Sequence, residues 1–76
     1  MHPDDVKKLL LANLADCEVS VDGDGRHFDI TVVGSLFAGL RPVQRQQKVY
    51  AVLQDEISAG TIHAVNMKTL TPDECQ

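Results

Sequence analysis

Two histidines carry the chemistry most readily read from this chain. His27 and His63 each stand at the start of a run that alternates like a strand. Imidazole is a common ligand for iron and zinc. If the two runs are parallel neighbours, both histidines lie at the same end of one sheet, across a strand spacing of about 4.8 Å. Side-chain alternation argues against a meeting. Phe28, Ile30 and Val32 define the buried face of the first run, so His27 points away from the core. His63 shares its parity with Val65 and Met67, and by that count points toward the core. The competing reading is one surface histidine and one histidine at the core edge, with no shared site.

The other reactive groups are less suggestive. Cys17 and Cys75 lie at opposite ends of the chain, with no CxxC or zinc-knuckle spacing. Two reduced thiols are expected, Cys75 exposed and Cys17 less accessible because it shares a strand face with Val19 and Val21. Arg41, Arg45 and Lys48 fall at i, i+4 and i+7, one helical stripe that can meet phosphates or an acidic partner. A solvated helix face is the plainer alternative. Asp22-x-Asp24 begins like a calcium loop, but Arg26 stands where the fifth position needs an oxygen and no glutamate follows at the twelfth. Gly23-x-Gly25 lacks a third glycine and precedes a strand, so it is no dinucleotide fingerprint. No catalytic constellation emerges, and no enzymatic activity is expected.

These residues need elements to hold them. Pro3-Asp4-Asp5 opens a helix, with proline at its first position and carboxylates facing the positive end of the dipole. Val6, Leu9, Leu10 and Leu14 form its buried stripe. Cys17, Val19 and Val21 then alternate with polar residues, as do Phe28, Ile30 and Val32, and Asp22-Gly23-Asp24-Gly25 between them is turn chemistry. A β-hairpin follows. Ser35 to Gly39 is a short turn tucking Leu36 and Phe37 under the fold. Pro42 starts the main helix, which runs to about Ser58 with Val49, Leu53 and Ile57 inward and Tyr50 and Val43 beside them; Gly60 suits its C-terminal cap. Thr61 to Leu70 reads as a third strand, and Thr71-Pro72-Asp73-Glu74 as a helix start with room for little more than one turn. The order is α-β-β-α-β-α(short). The predicted fold is α+β, a two-layer α/β domain with a three-stranded mixed sheet, helices on one face, and a right-handed crossover joining parallel second and third strands.

Composition agrees with a small globular domain. The 76 residues are 43% hydrophobic and 24% charged, which leaves room for one domain, residues 1–76, and no deep cleft. No run is long enough to span a bilayer and the start is acidic, so the cytoplasm is the expected location. The net charge of -4 argues against a general nucleic-acid binder. All of it lies before Arg41, and the stretch Arg41 to Lys48 is purely basic.

The run Phe37-x-Gly39, Arg45, Gln46-Gln47-x-Val49-Tyr50, Ile62-His63-Ala64 and Lys68-Thr69-x-Thr71-Pro72-x-Glu74 resembles the BolA family. Val19-x-Val21-x-Gly23-Asp24-Gly25-x-His27-Phe28 looks most like its acid-stress branch. The resemblance spans about residues 4 to 74 and is specific in combination rather than in any one piece. It implies a BolA-like, class II KH-like fold and a non-enzymatic adaptor, monomeric or weakly dimeric when alone. The implied partner is a monothiol glutaredoxin, sharing a [2Fe-2S] cluster with it and with glutathione. The residue matching His63 is a cluster ligand in that family, and a second comes from a cysteine or histidine in the loop between the first strands. Asp24 stands where some relatives carry that cysteine. Carboxylate is a harder, poorer donor for such chemistry, which makes His27 the substitute. Cys75 stands where many relatives have tryptophan. The family also includes transcriptional regulators, so DNA is the second implied partner, although the KH-type GxxG loop is missing here.

Overall fold

The computed structural model describes residues 2–14 and 16–75. Helix α1 spans Pro3–Asn13, strand β1 Cys17–Gly23, strand β2 His27–Gly34, a 3-10 turn Ser35–Phe37, helix α2 Pro42–Ser58 and strand β3 Ala64–Leu70. β1 and β2 pair antiparallel, and β2 and β3 pair parallel, giving the sheet order β1-β2-β3. The mixed three-stranded sheet matches the expectation, and the α2 bounds agree with those read from Pro42 and Ser58.

One apolar core joins the layers. Val6, Leu10 and Leu14 from the α1 region meet Val19, Phe28, Ile30 and Val32 from one sheet face, and Val49 and Leu53 from α2. The register explains the parity: Val19 lies opposite Val32, and Phe28 and Ile30 lie beside Val65 and Met67. Asp22, Asp29 and Asn66 share the other, polar face, where the Asn66 amide donates to Asp29 Oδ1 at 3.2 Å. Phe37, at the end of the 3-10 turn, is completely buried in the same core.

Local signals set the ends of the helices. His2 caps α1 by accepting from the Asp4 N–H through Nδ1, while the Asp5 carboxylate accepts from the His2 N–H. At the end of α2, Gly60 has φ of 78°. Its N–H donates to Ile57 O and the Thr61 N–H to Glu56 O, the paired bonds of a Schellman motif. Only glycine reaches that conformation without strain.

Four details depart from expectation. β3 begins at Ala64 rather than Thr61, because the helix cap bends residues 61–63 before the strand starts. Ile62 then fills the core position, at 1% exposure. Tyr50 and Val43 are not part of the buried stripe; they lie on the outer side of α2, 41% and 56% exposed. The C-terminal stub is a single hydrogen-bonded turn in which the Glu74 and Cys75 N–H groups both donate to Thr71 O.

Candidate functional site

The hairpin and the α2–β3 connection deliver His27 and His63 to one place. Their ring centroids lie 5.7 Å apart, with the ring planes at 86°. The hairpin turn holds His27 from one side. Asp24 Oδ1 accepts from the backbone N–H groups of Arg26 and His27, both at 2.9 Å. Gly23 makes the close approach possible, since a Cβ there would lie 2.4 Å from His27 O. On the other side, the N–H groups of His63 and Ala64 both donate to Arg26 O, at 3.0 and 3.2 Å. His63 is thereby tied to the residue preceding His27.

The parity argument therefore fails for His63. It is exposed, not core-facing, because it lies in the bend before β3 where strand alternation has not begun. His27 does point away from the core, with its side chain 60% exposed. Both imidazoles reach solvent at the same end of the sheet.

Asp24 is part of this arrangement in a way that residue spacing alone did not reveal. Its Oδ2 sits 3.6 Å from His27 Nδ1, an electrostatic contact slightly longer than a closed hydrogen bond. The Asp24 carboxyl is lowered to about 2, chiefly because the His27 and Arg26 backbone N–H groups donate to the carboxylate.

An apolar cleft of about 320 Å³ adjoins His63, lined by Tyr50, Ile57, Ile62, His63, Ala64 and Val65. Tyr50 and Ile57 also line a shallow groove along α2.

The three basic residues do not act as one stripe. Arg41 caps α2 and is exposed, as is Lys48. Arg45 is committed: its side chain is 12% exposed, forms a two-point ion pair with Glu74, and donates to Leu40 O and Thr69 O. Glu74 also accepts from the Thr71 N–H at 2.9 Å. Its carboxyl is lowered to about 2, first by the Arg45 guanidinium and then by the Thr71 N–H. Arg45 thus fastens the C-terminal turn to α2, and with the Glu74 N–H donating to Thr71 Oγ1 this accounts physically for Arg45, Thr71 and Glu74 occurring together, whereas Thr69 contributes only its backbone carbonyl. Cys75 is exposed, and Cys17 is partly buried with its thiol pushed up by desolvation and by the Asp16 charge.

Two imidazoles on one tetrahedral metal, each bonded at about 2.1 Å, place their ring centres roughly 5 Å apart. The observed centroid separation of 5.7 Å is slightly longer than that value. Among the described residues, no group of three or more His, Cys, Asp or Glu side chains could hold a metal ion. A two-donor set suits a metal group whose other ligands come from a second molecule. Histidine pairs of this kind replace thiolates on one iron of some [2Fe-2S] centres.

The fold and site define a small α+β domain presenting an exposed histidine pair at one end of a mixed sheet. The family model described as BolA-like protein matches residues 12–74, and the chain belongs to the BolA family. It is similar to the acid stress protein IbaG of Escherichia coli K12, 42% identical over 74 residues, covering 97% of this chain and 88% of that protein. A BolA homologue from Coxiella burnetii superposes with a TM-score of 0.88 at 34% identity, covering 99% of this chain and 96% of that one. The Vibrio cholerae protein named DNA-binding transcriptional regulator BolA is 43% identical over 68 residues, which cover 90% of this chain and 63% of that protein. Among the described residues, no helix is long and apolar enough to cross a membrane.

Proposed function

We propose that this chain is a non-enzymatic adaptor that supplies His63 and His27 as ligands to a [2Fe-2S] cluster shared with a monothiol glutaredoxin and glutathione. The observation that carries the reading is the pair of exposed imidazoles 5.7 Å apart, held by two independent backbone anchors. Cysteine thiolates of the partner and of glutathione supply the remaining ligands. Imidazole in place of thiolate changes the cluster's charge and potential, which suits transfer rather than permanent storage. The apolar cleft beside His63 gives a partner a surface to cover, excluding water from the ligand pair. A reducing compartment such as the cytoplasm fits the two thiols.

Mixing the chain with a cluster-loaded monothiol glutaredoxin and glutathione tests the proposal. The visible absorption and circular dichroism should change, and a mixed complex should elute on gel filtration. An unchanged spectrum with no complex would refute it.

A DNA-binding role is the second reading, favoured by the Vibrio relative's name and by exposed Arg41 and Lys48. Such binding should weaken steeply with salt and be lost in R41E/K48E. The commitment of Arg45 to Glu74 and the net charge of -4 make it the weaker of the two.

A further inference from the structure

Asp24 has two oxygens engaged in different tasks. Oδ1 accepts the backbone N–H groups of Arg26 and His27 and so shapes the hairpin turn. Oδ2 faces the His27 side chain, 3.6 Å from Nδ1. A neutral imidazole carries its proton on one nitrogen and offers a lone pair on the other. A carboxylate beside Nδ1 favours the proton there by electrostatic attraction and leaves the lone pair on Nε2.

We propose that Asp24 is a positioning residue for His27, its Oδ2 selecting the Nδ1–H tautomer so that Nε2 is the free donor atom of the histidine pair. This rests on the reading of His27 as a ligand for its functional meaning, but not for its physical content. The tautomer is a property of the chain alone. Among the described residues, Asp24 is the carboxylate that pairs with the His27 ring; the ring also meets His63 edge-on, which does not compete for the same proton as an anion would. The turn and the tautomer are separable because they use different oxygens of one side chain.

Asp24→Asn separates them. The Asn carbonyl oxygen can still accept the Arg26 and His27 N–H groups, whereas its NH2 group would donate toward Nδ1 and favour the opposite tautomer. Asp24→Ala removes both functions. Long-range 1H–15N correlation spectra of the 15N-labelled apo chain, at a pH where the imidazoles are neutral, read each ring nitrogen directly. The expected wild-type result is a protonated Nδ1 and an unprotonated Nε2 at His27. In D24N the Nε2–H form should rise at least several-fold, with the hairpin amide shifts of Arg26 and His27 retained. D24A should move those amide shifts as well. A wild-type His27 protonated at Nε2, or a tautomer unchanged in D24N, would overturn the inference.

A second arm separates this result from the fate of the cluster proposal. Titrating wild type and D24N into cluster-loaded monothiol glutaredoxin with glutathione should show the half-point for D24N raised at least tenfold, within the roughly 10–100-fold range for lost outer-shell partners. If wild type itself forms no complex, the cluster proposal fails, while the tautomer spectra still decide the role of Asp24.

Discussion

Replacing Gly23 by alanine should damage both the fold and the site, and the size of the effect follows from two distances. A Cβ at Gly23 would stand 2.4 Å from His27 O and 2.9 Å from Phe28 Cδ1. Ordinary contact begins near 3.4 Å, so the hairpin must open by about 1 Å against atoms of which the nearest is backbone. Overpacking of this kind costs about 1–3 kcal/mol, and the backbone clash puts G23A in the upper half of that range. A domain of this size has roughly 4–11 kcal/mol in total, so the loss is a sizeable fraction. With a urea m-value of about 1 kcal/mol/M, the midpoint should fall by about 2–3 M. The same shift moves the His27 carbonyl and its ring, so nuclear Overhauser contacts between His27 and His63 should weaken in the folded fraction. Gly39→Ala is the control. Gly39 has φ of 78° but nothing near a new Cβ, so it should cost only backbone strain of about 1–2 kcal/mol and leave the histidine contacts intact. A G23A protein no less stable than G39A, with unchanged contacts between the imidazoles, would refute the reasoning.

Two further outcomes follow from the ionisable groups. Asp24 and Glu74 are both lowered to about 2 in the folded chain, below ordinary values of 3.8 and 4.5. A carboxyl depressed in this way contributes stability that is fully present above its unfolded pKa and disappears as pH falls through the folded one. The urea midpoint should therefore decline from about pH 4.5 toward pH 2, and E74Q should flatten part of that slope; a midpoint independent of pH over this window would contradict both assignments. For the thiols, alkylation of the native protein followed by mass spectrometry should modify Cys75 before Cys17. Cys75 is exposed, whereas Cys17 is partly buried, has a raised pKa and faces the close-packed backbone of Gly34. Faster labelling of Cys17 would mean that the β1 face is assigned wrongly.

Much of the frame was legible because it depends on local chemistry. Pro42 and Gly60 bound α2, and the Asp/Gly cluster at 22–25 predicts the hairpin. Strand parity identified the β2 core residues and the outward direction of His27. The same rule misjudged His63, because the Schellman motif after α2 bends the chain and delays β3 until Ala64. Periodicity presumes that a strand has begun, and only the cap hydrogen bonds show where it does. The basic stripe failed for a different reason. The spacing of Arg41, Arg45 and Lys48 is a one-helix property, whereas the partner of Arg45 lies 29 residues away at Glu74. The outer positions of Tyr50 and Val43 likewise depend on which side of α2 the sheet covers.

The central claim is that this chain contributes two imidazole nitrogens to a shared cluster, and nitrogen hyperfine spectroscopy tests it most directly. The chain would be labelled with 15N-histidine and combined with unlabelled, cluster-loaded monothiol glutaredoxin and glutathione. After one-electron reduction, pulsed electron paramagnetic resonance would detect any histidine nitrogen bonded to iron. The expected spectrum shows two strong 15N couplings, with one lost in H27A and the other in H63A. A reduced complex in which wild type shows no 15N coupling, or in which both couplings survive H63A, would contradict the account.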